Sequence, residues 1–267
     1  MASISWNEHL GHLLGVLSSL EEFGLTVRPS KVFAGFRKLE FLGHIVGEGG
    51  IHPEKSKVKK NLGVATPTTR KQVRSLLGLL GYYRRYVQNY AVITAPITDL
   101  LKGQKGKSIV WSPECAQALL QIQEILSTYP VLSLPNLRDP FIVRTDASSV
   151  GIGGVLLQEK EGILHPVSFV SRKLLDREQR YGTIERECLA IVWCLSKLSR
   201  YLWGQTFLLE TDHKPLSFLS SASYKNSRIM RWSLALQEFS FQVKPIAGEK
   251  NSLADMMSRS NADQILP

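Results

Sequence analysis

Cysteine is scarce in this 267-residue chain, and what there is lies scattered at Cys115, Cys188 and Cys194. An odd number without paired spacing argues against a disulfide framework and against a cysteine-based zinc module. Buried free thiols in a reducing compartment are the expectation. Long apolar runs are missing as well: no stretch of 18 apolar residues occurs, so no membrane-spanning helix and no membrane partner are expected. The opening residues, Met1-Ala2-Ser3-Ile4-Ser5-Trp6, have neither the basic start nor the apolar core of a signal peptide. The expected location is therefore intracellular, in a cytoplasmic particle or the nucleus. Internal repeats and low-complexity tracts are absent too.

Acid is nearly missing from one stretch. Lys55 to Lys107 holds twelve basic residues and a single acid, Asp99, a local charge of +11 in a chain whose net charge is +10. The remainder is about neutral. So dense a basic segment is the footprint of a polyanion binder, although a solvated basic face would read the same way in isolation.

What is present suffices for a core: 43% of the residues are hydrophobic. Leu10, Leu13, Leu14, Leu17 and Leu20 have helical spacing over 9–23, and Gly24 stops that helix. Lys38 to Val46 reads as one strand, with a glycine turn at Gly47, Gly49 and Gly50 and a return beginning at Ile51-His52. Thr69 is placed to cap a helix whose buried face is Val73, Leu76, Leu77, Leu80, Tyr83 and Val87. Arg70, Lys71, Arg74 and Arg85 fall mostly on the other side. Ser112-Pro113-Glu114 begins a second helix, running to Leu126.

From Pro140 the pattern becomes strands at 141–145, 151–158 and 163–171, where Pro166 suggests an edge or a bulge. A long helix over 184–202, a strand over 206–211, a helix over 228–239, a strand over 241–246 and a short helix over 252–259 follow. Three strands joined by tight turns, then alternation with helices, imply a mixed sheet covered by helices.

Four acids stand out in that order. Asp146 lies just past the first of these strands and Asp212 just past the strand after the long helix. Glu187 is expected in the first turn of the long helix, and Asp255 in the first turn of the last one. Each has an ordinary reading as a turn cap or helix-start residue. Together, from four elements at one sheet edge, they suit a two-metal magnesium site: clustered carboxylates tolerate one another only around a cation, and magnesium takes hard oxygen ligands.

Thr145-Asp146-Ala147-Ser148, the run Tyr181 to Trp193, Thr211-Asp212-His213-Lys214-Pro215-Leu216, and Gly248-Glu249-Lys250-Asn251 with Ala254-Asp255 resemble, in order and spacing, the ribonuclease H domain of gypsy-type LTR retrotransposon (Pol) reverse transcriptases. Upstream, Glu40-Phe41-Leu42-Gly43-His44 is similar to the last palm hairpin of those enzymes, and Arg74 to Tyr86 to their thumb helix. The resemblance covers nearly the whole chain. It implies an α/β fold, α+β overall: a ribonuclease H-like mixed five-stranded sheet with flanking helices over 140–262, preceded by a palm remnant over 1–62 and a basic, mainly helical thumb and connection over 63–139. It also implies Asp146, Glu187, Asp212 and Asp255 as catalytic metal ligands for two Mg2+ ions, with Mn2+ as a substitute. It selects Glu187 rather than Glu185, because Glu187 directly precedes Cys188-Leu189-Ala190-Ile191; Glu185 is then a helix-dipole partner. Arg70, Lys71, Arg74, Arg84 and Arg85 are the implied nucleic-acid contacts.

The implied activity is hydrolysis of the RNA strand of RNA–DNA hybrids. The Tyr-Xaa-Asp-Asp polymerase motif is absent, so polymerisation by this chain alone is not expected. The implied partners are a hybrid or duplex nucleic acid, together with the fingers and palm of the same polyprotein or a dimer mate. Met256-Met257 and Val32 depart from the usual family residues, and the role of His213 is open. Two other readings compete: a non-catalytic nucleic-acid-binding remnant, and an integrase-like or resolvase-like nuclease, against which the motif spacing argues.

Overall fold

The structure is a computed structural model that describes residues 3, 5–47, 49–63, 65–102, 109–128, 130–211 and 227–246, with the side chains of 59–62 left out. Helix α1, Trp6–Glu22, starts at Ser5, whose hydroxyl accepts from the Glu8 amide, and stops before Gly24 at φ +65°. None of its residues is buried.

The single strand expected over 38–46 is instead a hairpin. Strand β1, Lys38–Phe41, turns into β2, His44–Gly47, through Leu42 and Gly43, both with positive φ (48° and 73°). Two consecutive left-handed residues reverse the chain in the tightest hairpin turn, and only the second is a glycine. Apolar content alone concealed the reversal. Strand β3, Gly50–Pro53, completes this antiparallel sheet in the order β1-β2-β3.

Helix α2, Lys55–Leu62, leads to α3, Arg70–Tyr82, which begins with a capping box: the Thr69 hydroxyl accepts from the Gln72 amide while the Gln72 side chain accepts from Thr69 N. Val73, Leu76 and Leu80 are its buried stripe, and Tyr83 and Val87 continue the burial. Short helices α4, Tyr90–Ile93, and α5, Ala95–Asp99, precede α6, Pro113–Ser127, capped by Ser112 as expected.

The second half is one sheet. Strands β4, Phe141–Ala147, β5, Gly151–Lys160, and β6, Ile163–Lys173, form an antiparallel meander. After α7, Asp176–Gln179, and α8, Thr183–Leu202, strand β7, Thr206–Thr211, joins β4 in parallel. Helix α9, Ser227–Leu236, returns the chain to β8, Ser240–Pro245, parallel to β7. The order is β6-β5-β4-β7-β8, the mixed five-stranded sheet expected. Pro166 lies on edge strand β6, where the ladder shifts register opposite Leu156/Leu157. A proline has no amide to donate, so an edge and a bulge are where it fits.

Both faces of this sheet are covered. Phe141, Val143, Leu156, Phe207 and Leu209 pack under α8 and α9. On the other face Val155, Leu157 and Phe169 pack into one core with Leu76, Leu80, Tyr83, Tyr86, Ile122 and Leu126 of the helical segment. Among the described residues no helix is long and apolar enough to cross a membrane.

Candidate active site

Strand alternation sorts the residues around Asp146. A Cβ on Gly154 would meet Cys194 of α8, so Gly154 and its register partner Thr145 face α8. Asp146, paired with Gly153, therefore projects from the opposite face, and it is exposed. It stands within β4, at the penultimate position, rather than just past the strand as expected.

Glu187 is 3% exposed and occupies the fifth position of α8, one residue further in than the expected start at 184 puts it and so just past the first turn. Glu185 takes the first-turn place: its carboxylate accepts from the Gly182 amide at 3.2 Å and pairs with Arg228 at 2.8 Å. The expectation of a helix-start role for Glu185 is met in that way. Helix α8, which carries Glu187, packs on β4 and β5 on the face opposite the one from which Asp146 projects, so the two acids come from neighbouring elements on the two sides of β4. Burial pushes the Cys194 thiol of α8 upward; the charge of Arg172 opposes this and that of Asp146 adds to it. Burial, then Glu187 and Glu185, raise the Cys188 thiol to about 12.

Strand β7 ends at Thr211 beside β4. The next residue, Asp212, lies outside the described residues, as do His213, Asp255 and the helix expected over 252–259. Among the described residues no group of three or more His, Cys, Asp or Glu is placed to hold a metal. The donors that are described nevertheless suit a hard cation, since both are carboxylates, one exposed at the end of β4 and one buried on α8. Beside them, the hydroxyls of Thr145 and Thr211 are buried with no hydrogen-bond partner among the described residues. Each is the last residue before one of the expected acids.

Two features here went unread in the sequence. Arg144 Nε donates to Glu210 Oε2 at 2.5 Å, with the residues 8% and 3% exposed, and Lys244 Nζ lies 3.5 Å from Glu210 Oε1. These charges span β4, β7 and β8 on the Asp146 face, one pleat inside the acid. A charge in an otherwise apolar strand was the available signal. The second feature is a tie between the thumb-like segment and the sheet. Arg84 Nη2 donates to Ser171 O at 2.5 Å, the Ala91 amide donates to Ser171 Oγ at 3.0 Å, and Lys173 grips Asp99 at 2.6 Å.

The five expected nucleic-acid contacts divide accordingly. Lys71 and Arg74 are exposed on α3. Arg70 is half-buried and donates to Lys102 O at 2.9 Å. Arg84 ties to the sheet, and the Arg85 guanidinium lies 5.9 Å from the centre of the Tyr86 ring.

Residues 136–239 match a family described as the RNase H-like domain found in reverse transcriptase. Over 98% of its length the chain is 37% identical to the retrovirus-related Pol polyprotein of transposon 297 from Drosophila melanogaster, covering 24% of that protein. It is 35% identical to the Pol polyprotein of transposon gypsy from the same organism, over 97% of the chain and 26% of the relative. A Tf2-3 transposon polyprotein of Schizosaccharomyces pombe is 31% identical over 96% of the chain and 20% of the relative. The chain thus spans about a quarter of the length of such relatives. Among solved structures, a foamy viral protease-reverse transcriptase dRH in complex with double-stranded DNA superposes with a TM-score of 0.77, 22% identity, 92% of this chain and 44% of that one. The foamy viral protease-reverse transcriptase in complex with RNA/DNA hybrid gives 0.76, 22%, 93% and 34%.

Proposed function

Since the chain belongs with the Pol polyproteins of gypsy-type and other LTR retrotransposons and carries their RNase H-like domain of reverse transcriptase, we propose that it is a ribonuclease H, an endonuclease cutting the RNA strand of RNA–DNA hybrids. The observation that carries this reading is the parallel pairing of β4 with β7 under α8. It sets Asp146 at the end of one strand, next to the strand whose following residue is Asp212, with Glu187 near the start of the helix that packs on β4.

Asp146 and Glu187, with Asp212 and Asp255, would hold Mg2+. The bound ions would supply an activated water and charge stabilisation at the leaving oxygen of the phosphodiester. The protein's own part is placement. The exposed Asp146 would face the arriving strand, and Glu187 would act from a buried position on α8. The apolar packing of α8 on β4 sets the spacing between them. Exposed Lys71 and Arg74 on α3 would hold the duplex by phosphate contacts, which position a substrate without reading its sequence.

The test is direct. The purified chain, given Mg2+ and an end-labelled hybrid, should cut the RNA strand and leave the DNA strand intact. Asp212→Asn should abolish cutting. A wild-type chain that binds hybrid and leaves it uncut contradicts the proposal and favours a non-catalytic binding protein.

A further inference from the structure

The face of the sheet from which Asp146 projects carries a side chain that does not belong to the sheet. The register partner of Asp146 on β5 is Gly153, and directly opposed residues of an antiparallel pair share a face, with Cβ positions about 4.5–5.5 Å apart. A Cβ built on Gly153 would lie 3.1 Å from the Oδ1 atom of Asn89, 3.2 Å from Val170 O and 3.3 Å from Ser171 Cβ. The Asn89 carboxamide therefore lies against Gly153, beside Val170 and Ser171 of β6, on the face of the sheet from which Asp146 projects one strand away. Asn89 comes from the segment that follows α3, far from the sheet in sequence.

Asn89 is held there firmly. Its backbone is left-handed, φ 51° and ψ 27°, and its carbonyl accepts from Val92 N at 2.9 Å and Ile93 N at 3.1 Å. Two residues on, the Ala91 amide is fixed to Ser171 Oγ, and Arg84 grips Ser171 O. The turn needs only a residue that tolerates positive φ, which glycine does better than asparagine. The carboxamide is thus surplus to the turn. Asn89 is half-exposed, one strand removed from the exposed Asp146, and its carboxamide makes no hydrogen bond among the described residues. Gly153, lacking a Cβ, is what lets it approach.

We propose that Asn89 is a substrate-contacting residue of the nuclease, its carboxamide hydrogen-bonding the sugar–phosphate backbone of the strand that lies on Asp146. A neutral amide suits this place. It offers two donors to phosphate oxygens and an acceptor to a 2′-hydroxyl, and it adds no negative charge beside the acids. This inference rests on the ribonuclease H reading.

Asn89→Gly keeps the left-handed turn and deletes the amide, so the melting temperature should hold. Loss of a hydrogen bond to the substrate backbone should raise KM for the hybrid about ten-fold, with a smaller change in kcat. Gly153→Ala should displace the Asn89 side chain and give the same KM rise, and the double variant should be no worse than either alone. If the wild type cuts hybrid and Asn89→Gly matches it in KM and kcat, or if the two substitutions add fully, the assignment of Asn89 is wrong while the nuclease reading stands. A wild type that does not cut overturns both.

Discussion

Arg144 and Glu210 meet across the parallel strands β4 and β7, Nε to Oε2 at 2.5 Å, both buried. Each stands two residues before an acid of the expected site, Asp146 or Asp212. Only the register that pairs Ile142 with Leu208 and Arg144 with Glu210 joins them, so the ion pair and the strand register specify each other.

Removing one charge leaves its partner buried with less compensation, which costs about 3–5 kcal/mol for a buried pair. Arg144→Met or Glu210→Leu alone should therefore lower the urea midpoint strongly. The double variant should recover most of that loss, since two apolar side chains can replace a buried pair at little cost. Equilibrium urea unfolding of the two singles and the double checks this. Single variants as stable as wild type would show that the pair contributes nothing to the sheet.

Charge removal on α3 should act on binding and leave the fold intact. Lys71→Ala and Arg74→Ala each remove an exposed cation, and each should reduce the slope of log affinity against log salt by roughly one. Arg84→Ala should behave differently, because Arg84 bonds to Ser171 O and joins the helical segment to the sheet. It should lower thermal stability as well as affinity. Fluorescence anisotropy on a labelled hybrid across a salt series, paired with melting curves, separates the two kinds of arginine.

Acid should weaken the protein before its carboxylates titrate. His44 stacks on Tyr82 at 4.8 Å and shares a hydrogen bond with the Tyr86 hydroxyl at 2.8 Å. Burial, and then the charge of Arg85, hold its pKa below the ordinary 6.5. The unfolded chain thus binds a proton near pH 6.5 that the folded chain refuses until lower pH, so stability falls as pH drops through and below 6.5. His165 is lowered in the same direction, by burial and then Lys160. His44→Gln should flatten part of the fall between pH 7.5 and 5.5 in denaturant midpoints. An unchanged slope would show that His44 is not its source.

The helical segment and the sheet should unfold together. Leu157 and Val155 of β5 lie in one core with Leu80, Tyr83 and Tyr86. Leu157→Ala should cost about 2–5 kcal/mol and move a single transition, seen alike by tryptophan fluorescence and far-UV circular dichroism. Two separated transitions in wild type would contradict the shared core.

Much of this was legible in the sequence, for reasons that particular residues show. Thr69 with Gln72 and Ser112 with Pro113 are local caps, so both helix starts could be read from a few neighbours. The stripe Val73, Leu76 and Leu80 is long enough for its period to be unmistakable. Strand β7 was read to the residue, over 206–211. The order of strands and helices implied the parallel β4–β7 pairing, which sets the C-terminal ends of those two strands side by side.

The rest depended on contacts between distant parts of the chain. The turn at Leu42-Gly43 asks a leucine to adopt φ 48°, which the surrounding sheet determines and local preference opposes. Asn89 beside Gly153, and Arg144 beside Glu210, lie 64 and 66 positions apart in the numbering. No window along the sequence joins them. Glu187 lies one residue deeper in the helix than expected, because α8 begins at Thr183, where Glu185 accepts the Gly182 amide.

The central claim is that the acid at the end of β4 belongs to a nuclease centre, and Asp146→Asn tests it most directly. Asp146 is exposed, so the substitution should leave the unfolding free energy within about 0.5 kcal/mol of wild type. With Mg2+ and an RNA–DNA hybrid, the wild type should cut the RNA strand, and Asp146→Asn should bind the hybrid equally well and cut nothing. Undiminished cutting by a folded Asp146→Asn protein would contradict the account.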